Sequence, residues 1–363
     1  MKGWAGVCRF GGVGDNLVAA SPCRALKKLG YLVEVITTAK DTHTVFRNNP
    51  FIDRISLKEE GDIPGGPTEW QMWFAKKAGE YEVFGNLSHS MEYQHAFFQS
   101  QTQFWWPQDY RRKIAAGSYL ETAHDIMGVP YIFGPLFFPS EDERICAQRM
   151  QEEQVKGKYL AWVVSGSRHD KIYPYAAMAI GRIIIELNIP VVLFGIGPKQ
   201  AEYATQIKDH VIRQNGTRDM FHMAVQDHQP VESRWPLRTA LTGAMYADCV
   251  VSPDTGMAWA VAFEDMPKII MVSHTSVENI TKHWVNTVTL HADTYRVPCW
   301  PCHRLHDTEA TCVPNKDGGH AAACISDISA QVIVDQVRKA WNKRESDTHP
   351  PKPSEHPYIR EVA

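Results

Sequence analysis

The chain opens with an alternation that leaves little choice of fold. Trp4 to Phe10 is a short apolar run that reads as a strand, Gly11-Gly12-Val13-Gly14-Asp15-Asn16 reads as a turn, and Leu17 to Leu29 has helical patterning closed by Gly30. Val33 to Thr38 reads as a second strand, and Asn48-Asn49-Pro50-Phe51-Ile52-Asp53-Arg54-Ile55 as a turn and a third. Strands that return after each helix build a parallel sheet with helices on its faces. Glycines allow positive φ and close approach of a ligand to backbone N–H groups, and a helix N-terminus favours anionic oxygens, so the loop first suggests a phosphate cradle. It is incomplete as a motif. The third glycine of the dinucleotide fingerprint is replaced by Leu17, and the P-loop lysine is missing. Asp15 is a carboxylate where a phosphate site would not place one; its plain alternative is a helix cap.

The same rhythm resumes later. Tyr159 to Ser165, Val191 to Phe194, Cys249 to Ser252 and Lys268 to Val272 read as strands, separated by helical stretches at Ala176 to Leu187, Leu237 to Ala247 and Met257 to Phe263. A chain of 363 residues suits two domains of roughly 150 residues each. Between the two series lies the charged stretch from Pro139 to Val155, which Ser140-Glu141-Asp142-Glu143 opens as a helix cap with an acidic first turn. The sequence therefore divides into an N-terminal domain at 1–155, a C-terminal domain at 156–325 that includes a cysteine-rich segment at 299–324, a last helix at 326–343 and an irregular, proline-rich tail at 344–363. With 38 basic and 41 acidic residues the formal charge is -3, which excludes a polycation that holds nucleic acid or anionic lipid by charge alone. No apolar run approaches the roughly 20 residues of a transmembrane helix, and no leader pattern precedes Gly3 and Gly6; the expectation is a cytoplasmic protein without a transmembrane segment.

Ligands of open α/β sheets bind beyond the C-terminal ends of strands, and three polar loops stand there. The first holds Asp15. The second is Ser165-Gly166-Ser167-Arg168-His169-Asp170-Lys171-Ile172-Tyr173-Pro174, and the third is Ser252-Pro253-Asp254-Thr255-Gly256-Met257, each ahead of a helix. Hydroxyls, backbone amides, a cation and a helix terminus suit a diphosphate. A diphosphate ligand on the second half and a lone carboxylate on the first fit group transfer.

These residues carry a resemblance. The Gly-Asp loop with Ser21-Pro22, Arg24-Ala25-Leu26-Lys27 and Asn49-Pro50-Phe51-Ile52-Asp53, then Asp170-Lys171 with Tyr173-Pro174, Trp235-Pro236-Leu237 and Val250-Val251-Ser252-Pro253-Asp254-Thr255-Gly256, resemble in order the motifs of glycosyltransferase family 9, the lipopolysaccharide heptosyltransferase-like enzymes. The likeness covers most of residues 7 to 335, with the middle of the first domain poorly matched. It implies a GT-B architecture: two Rossmann-like α/β domains with parallel sheets facing across a cleft, acceptor on the first, nucleotide-sugar on the second, and the 326–343 helix returning toward the first. The implied transfer is inverting, needs no cofactor or metal, and uses a nucleoside-diphosphate sugar as co-substrate. By resemblance Asp15 is the general base; Gly12, Gly14 and Asn16 of its loop and Trp105 of the aromatic stretch at 104–113 are placed on the acceptor side. On the donor side stand Ser165, Ser167, Arg168, Lys171, Gly195, Asp254, Thr255 and Gly256, Lys171 being the cation beside the diphosphate. A positioned carboxylate accepts the hydroxyl proton as the acceptor attacks, and a cation stabilises charge on the leaving nucleotide. The chain departs from the family in two places. Trp259 stands where many members have histidine, and Gly195-Ile196-Gly197 lacks the glutamate that some heptosyltransferases place after this glycine.

Two features remain. Cys299, Cys302, Cys312 and Cys324 have the spacing Cys-x2-Cys-x9-Cys-x11-Cys with His303, His306 and His320 interleaved, which offers a structural zinc site, free thiols being the alternative. Phe104-Trp105-Trp106 followed by Arg111-Arg112-Lys113 suits stacking and phosphate contact, or an acceptor pocket. The acceptor is accordingly a saccharide or glycolipid, with a hydroxylated base in DNA as the alternative. A catalytically silent nucleotide-sugar-binding protein is the reading from another class.

Overall fold

A computed structural model describes residues 2–38, 41–62, 67–88, 90–92, 101–166, 168–195, 197–215, 220–225, 235–305, 321–345 and 360–362. The chain forms two compact units: one of Met1–Phe138, Glu278–His283 and Pro357–Ala363, the other of Pro139–Val277 and Trp284–His356.

The first unit is built on a four-stranded parallel sheet, with β1 (Trp4–Cys8), β2 (Leu32–Thr38), β3 (Arg54–Lys58) and β4 (Val83–Asn86) in the order β3-β2-β1-β4. The helices α1 (Val13–Ala20), α2 (Cys23–Lys28), α3 (Pro67–Ala78), α4 (Gln108–Ala115) and α5 (Tyr119–Met127) accompany it. Burial follows the apolar pattern: Val7, Val33, Val35, Leu17, Leu26, Leu120 and Ala123 are sealed from solvent. A further strand, β5 (Tyr131–Phe133), pairs antiparallel with Arg360–Val362 near the end of the chain. The segment at 278–283 is fixed to this unit by Asn279, whose side-chain amide donates to Ala115 O and Gly117 O at 2.6 and 2.8 Å.

The second unit has a six-stranded parallel sheet of β6 (Leu160–Val163), β7 (Val191–Gly195), β8 (Phe221–Val225), β9 (Cys249–Pro253), β10 (Lys268–Met271) and β11 (Thr287–Leu290), in the order β11-β10-β9-β6-β7-β8. Its helices are α6 (Glu141–Met150), α7 (Ala176–Leu187), α8 (Pro198–Asn215), α9 (Leu237–Met245), α10 (Gly256–Ala260), α11 (Val277–Ile280, in the first unit from Glu278), α12 (Ala323–Ser326) and α13 (Ala330–Glu345). Apolar residues at 176, 179, 180, 183 and 184 give α7 one continuous buried stripe, and Ile333, Val334 and Val337 of α13 complete the same core. Ser140 caps α6 by accepting from Glu143 N at 3.2 Å while the Glu143 carboxylate accepts from Ser140 N at 2.7 Å, the reciprocal pair expected of this sequence. Glu143 also pairs with Arg238 of α9 at 2.6 Å, which ties α6 to the second unit; the sequence division at residue 155 lies after this helix.

In both sheets the winding reverses once. The chain goes from β1 to β2 and β3 on one side, then to β4 on the other; it goes from β6 to β7 and β8, then to β9 on the other side. At such a switch point the two neighbouring strands send their following loops apart, and the crevice beyond their C-terminal ends stays open.

One buried group makes the first unit sensitive to acid. His124 of α5 is sealed, with Nδ1 at 2.7 Å from Leu120 O, and burial lowers its pKa to about 4 against the opposing backbone hydrogen bonds of Leu120 and Ile132. The unfolded chain therefore takes up this proton first, and stability is lost as pH falls from the ordinary histidine value toward 4, by at most about 3 kcal/mol. His124→Phe should flatten the dependence of the unfolding midpoint on pH between 6.5 and 4.5 relative to wild type; parallel profiles would refute this assignment.

Candidate active site

The switch point of the first unit is occupied by a buried charge cluster. Arg9 follows β1 and is 4 % exposed; its guanidinium donates to Asp15 Oδ1 at 2.6 Å, to Leu87 O at 2.7 Å and to both carboxylate oxygens of Glu92, one of them at 3.1 Å. Leu87 and Glu92 come from the loop after β4. Burial alone would lower the Arg9 pKa, but the charges and hydrogen bonds of Glu92 and Asp15 outweigh it and push it above the ordinary value, so the cation is retained. Asp15 lies in the first turn of α1 with 38 % of its side chain exposed, and its Oδ2 accepts from Gly12 N at 2.7 Å. It is thus both the helix-capping carboxylate and an accessible one.

None of Gly11, Gly12 and Gly14 takes a positive φ, contrary to the role expected for these glycines. The requirement at Gly11 is space: a Cβ there would lie 2.5 Å from Asp15 Oδ2 and 2.7 Å from Asp15 Cβ. Gly14 is inside α1, and Asn16 is buried, its Oδ1 accepting from Thr37 Oγ1 at 3.2 Å. Trp105 stands on the turn at Thr102–Trp105, 73 % exposed and edge to face with Phe104; no contact among the described residues joins it to the Arg9 cluster. Beside the glycine loop, Phe10 instead packs on Trp70 and Trp73 of α3, with ring centroids 5.6 and 6.0 Å away.

The second switch point holds three ion pairs, two of them sharing Asp170. After β6, Lys171 Nζ reaches Asp254 Oδ2 at 3.0 Å, and Asp254 follows β9. Asp170 turns inward, accepting from Arg168 Nε at 3.0 Å and pairing with His274 Nδ1 at 2.7 Å. Burial raises the Asp170 pKa, but His274, Arg168 and Lys171 together hold it far below the carboxylate range; burial pushes the His274 imidazole down against the pull of Asp170. Lys171 and Asp254, two of the residues chosen from sequence, are thus in contact. Gly166 lies against the Lys171 stem, since a Cβ there would be 2.6 Å from Lys171 Cδ. Ser165 Oγ is spent on Gly166 O at 3.2 Å, and Gly195 ends β7 beside β6. Ser167 lies outside the described residues.

The expectation of a helix dipole at the third loop is corrected. Only five residues, Gly256–Ala260, are helical, and Thr255 spends its hydroxyl capping them by accepting from Ala258 N at 3.3 Å. So short a helix sums few peptide dipoles, and the charge at this end is supplied by Lys171. Cys299 and Cys302 are half-buried, Cys324 is in the core of the second unit, and Cys312, His306 and His320 lie outside the described residues. No group of three metal-ligating side chains is assembled among the described residues.

Sequence reading overlooked Glu92 and His274. Glu92 gave no motif, being in the poorly matched middle of the first domain; His274 did carry a signal, since Ser273-His274-Thr275-Ser276 is another polar loop directly after a strand.

No family model and no curated protein matches the sequence. Solved structures match its fold, which is the one shared by family 9 and heptosyltransferase-class GT-B glycosyltransferases. One is ADP-heptose LPS heptosyltransferase II of E. coli, with a TM-score of 0.61 and 14% identity over 95% of this chain and 100% of that one. Another is a family 9 glycosyltransferase of Veillonella parvula, with a TM-score of 0.62 and 13% identity over 94% and 98%. The iron-containing dodecameric glycosyltransferase TibC of E. coli follows at 0.55 and 13%, covering 95% of this chain and 76% of TibC. The α/β fold and the GT-B class expected from the sequence are the ones found. No helix among the described residues is long and apolar enough to cross a membrane.

Arg9 carries the buried half of the first cluster, so removing it leaves Glu92 and Asp15 uncompensated. Arg9→Met should destabilise the first unit by about 3–5 kcal/mol in denaturant titration, the cost typical of breaking a buried ion pair. A change under about 0.5 kcal/mol, usual for surface substitutions, would show that the cluster is solvated.

Proposed function

We propose that this chain is an inverting glycosyltransferase that transfers a sugar from a nucleoside-diphosphate donor to a hydroxyl of a saccharide or glycolipid. The observation that carries this reading is the chemistry at the two switch points. An accessible carboxylate, Asp15, stands at one and a cation with its counter-ion, Lys171 and Asp254, at the other, in a chain that matches glycosyltransferase structures over nearly its whole length.

In this reading Asp15 accepts the proton of the acceptor hydroxyl as its oxygen attacks the anomeric carbon from the face opposite the diphosphate. The new C–O bond forms while the bond to the diphosphate breaks, and the electron pair leaves with the nucleotide. Lys171 stabilises that charge where it develops. Arg9 and Gly12 N hold one Asp15 oxygen each, so the carboxylate keeps a single orientation while its remaining lone pairs stay available. Arg168, Gly195, Thr255 and Gly256 complete the donor side as backbone or loop-forming groups. Ser165 and Ser167 belong to the same loop. Glycines 12 and 14 and Asn16 shape the acceptor side. Asp15, Lys171 and this loop chemistry call for no metal. In this reading the enzyme acts in the cytoplasm.

A thermal-shift screen of nucleotide-sugars identifies the donor, since stabilisation grows as ligand exceeds its Kd and reaches about 2.7 kcal/mol at a hundredfold excess. With that donor, Asp15→Asn should lower kcat by about 10²–10⁴-fold and leave donor Kd within about twofold, because general-base catalysis contributes that much. Unchanged turnover would remove Asp15 from the chemistry, and donor binding without any turnover across saccharide, glycolipid and hydroxylated-DNA acceptors would favour a silent binding protein. Gly11→Ala presses on Asp15 and should lower kcat with little change in donor Kd; wild-type turnover in this variant would mean that the orientation of Asp15 is unimportant.

A further inference from the structure

We propose that Trp259 is a positioning residue of the donor site, acting on Lys171 through Asp254; the inference rests on the reading of Lys171 as the cation for a nucleoside diphosphate. Asp254 is 6 % exposed and each of its oxygens has a separate partner: Oδ2 takes Lys171 Nζ at 3.0 Å, and Oδ1 takes the Trp259 indole N–H at 3.2 Å. Trp259 is itself buried and packed edge to face on Trp284, with ring centroids 4.8 Å apart. Its backbone is tied to the same loop, since Trp259 N donates to Thr255 O at 3.1 Å, and Asp254 N donates to Met271 O at 3.1 Å.

The consequence lies in what a lysine does without such a frame. Its stem is flexible and its ammonium has three equivalent donors, so a freely rotating carboxylate can follow it through many geometries. An indole nitrogen only donates, and its burial is less costly with an acceptor. By holding Oδ1, Trp259 stops the carboxylate from turning and leaves Oδ2 alone for Lys171. Among the described residues Asp254 takes one ammonium hydrogen, and the other two can turn to an anionic ligand. Gly166 adds room for the stem on the other side. Trp259 therefore fixes where the positive charge stands without consuming it. An indole also has no proton to gain or lose near neutrality, unlike the histidine found here in many family members, so this hold on Asp254 does not vary with pH.

Two substitutions separate the N–H from the ring area. Trp259→Phe removes the donor and keeps an aromatic ring; Trp259→His keeps an N–H at the corresponding ring position and removes the benzo ring. Binding of ADP and UDP to the full-length chain is measured by calorimetry at pH 6 and 8. For whichever nucleotide the wild type binds, Trp259→Phe should raise Kd about tenfold, the loss of one hydrogen bond to a charged group. Trp259→His should stay within about threefold of wild type at pH 8 and diverge from it at pH 6, where its own ring gains a proton. In an Asp254→Asn background, Trp259→Phe should add nothing further. The inference is overturned if Trp259→Phe binds as wild type, or if its effect persists in full beside Asp254→Asn. If Trp259→Phe does not fold, the pH profile of Trp259→His and the Asp254→Asn background carry the decision, a flat profile counting against it. If the wild type binds neither nucleotide and no other nucleoside diphosphate, the donor reading itself falls, which is a different outcome from equal binding by wild type and variant.

Discussion

The reversal of winding in each sheet is the constraint on which everything else depends. A parallel sheet buries both faces under its helices, so its interior strands are mostly apolar along their length. Only where the chain changes direction do two adjacent strands end without a helix crossing above them. Between β1 and β4 that position is filled by Arg9, Asp15 and Glu92; between β6 and β9 it is filled by Lys171 and Asp254. Strand order thus brings together residues 83 positions apart in both cases, Arg9 with Glu92 and Lys171 with Asp254.

Charge burial then decides how each site is built. Removing an ion from water costs several kcal/mol, which partners and hydrogen bonds must offset. The two terminal nitrogens of Arg9 are taken up by two carboxylates and a backbone carbonyl, and Asp170 is held by Arg168 and His274. In both clusters one member is sealed and another reaches toward solvent: Arg9 is 4 % exposed beside Asp15 at 38 %. The sealed ion fixes geometry, and the exposed one remains available to a ligand. Lys268 shows the same rule without a site. It is the first residue of β10, is buried, donates to Glu264 O and Met266 O, and burial lowers its pKa to about 7.

The parts of this arrangement visible in the sequence were those where polarity changes abruptly. Asp15, Lys171 and Asp254 each lie in a polar loop just beyond an apolar strand, and the alternation of strands and helices revealed the fold class. Arg9 was hidden because it lies inside the run from Trp4 to Phe10 that reads as one apolar strand. Glu92 was hidden because β4, Val83–Asn86, is short and contains Gly85 and Asn86, so neither strand nor switch point announced itself. Asp170 was visible as part of the polar loop; His274, about a hundred residues on, is what draws it inward. Strand order is a nonlocal property, and neighbours across a switch point leave no mark in a window of sequence.

The glycine loop shows why composition alone misassigns such a site. Gly11-Gly12-Val13-Gly14 has the glycine content of a phosphate cradle and leads into α1, an eight-residue helix. Yet the first amide of that cradle, Gly12 N, is already taken by Asp15 Oδ2 at 2.7 Å, and the nearby cation is shared between Asp15 and Glu92. One guanidinium against two carboxylates leaves the cluster net negative. A phosphate brought there would meet repulsion from both acids and find its donors occupied. The same glycines serve the opposite purpose. Gly11 has no side chain because Asp15 fills that space, and the helix N-terminus stabilises a carboxylate belonging to the protein where another fold would stabilise one belonging to the ligand. What remains is a negative, partly exposed oxygen at the edge of a rigid sheet. Such a group suits drawing a proton from a hydroxyl, not holding a phosphate.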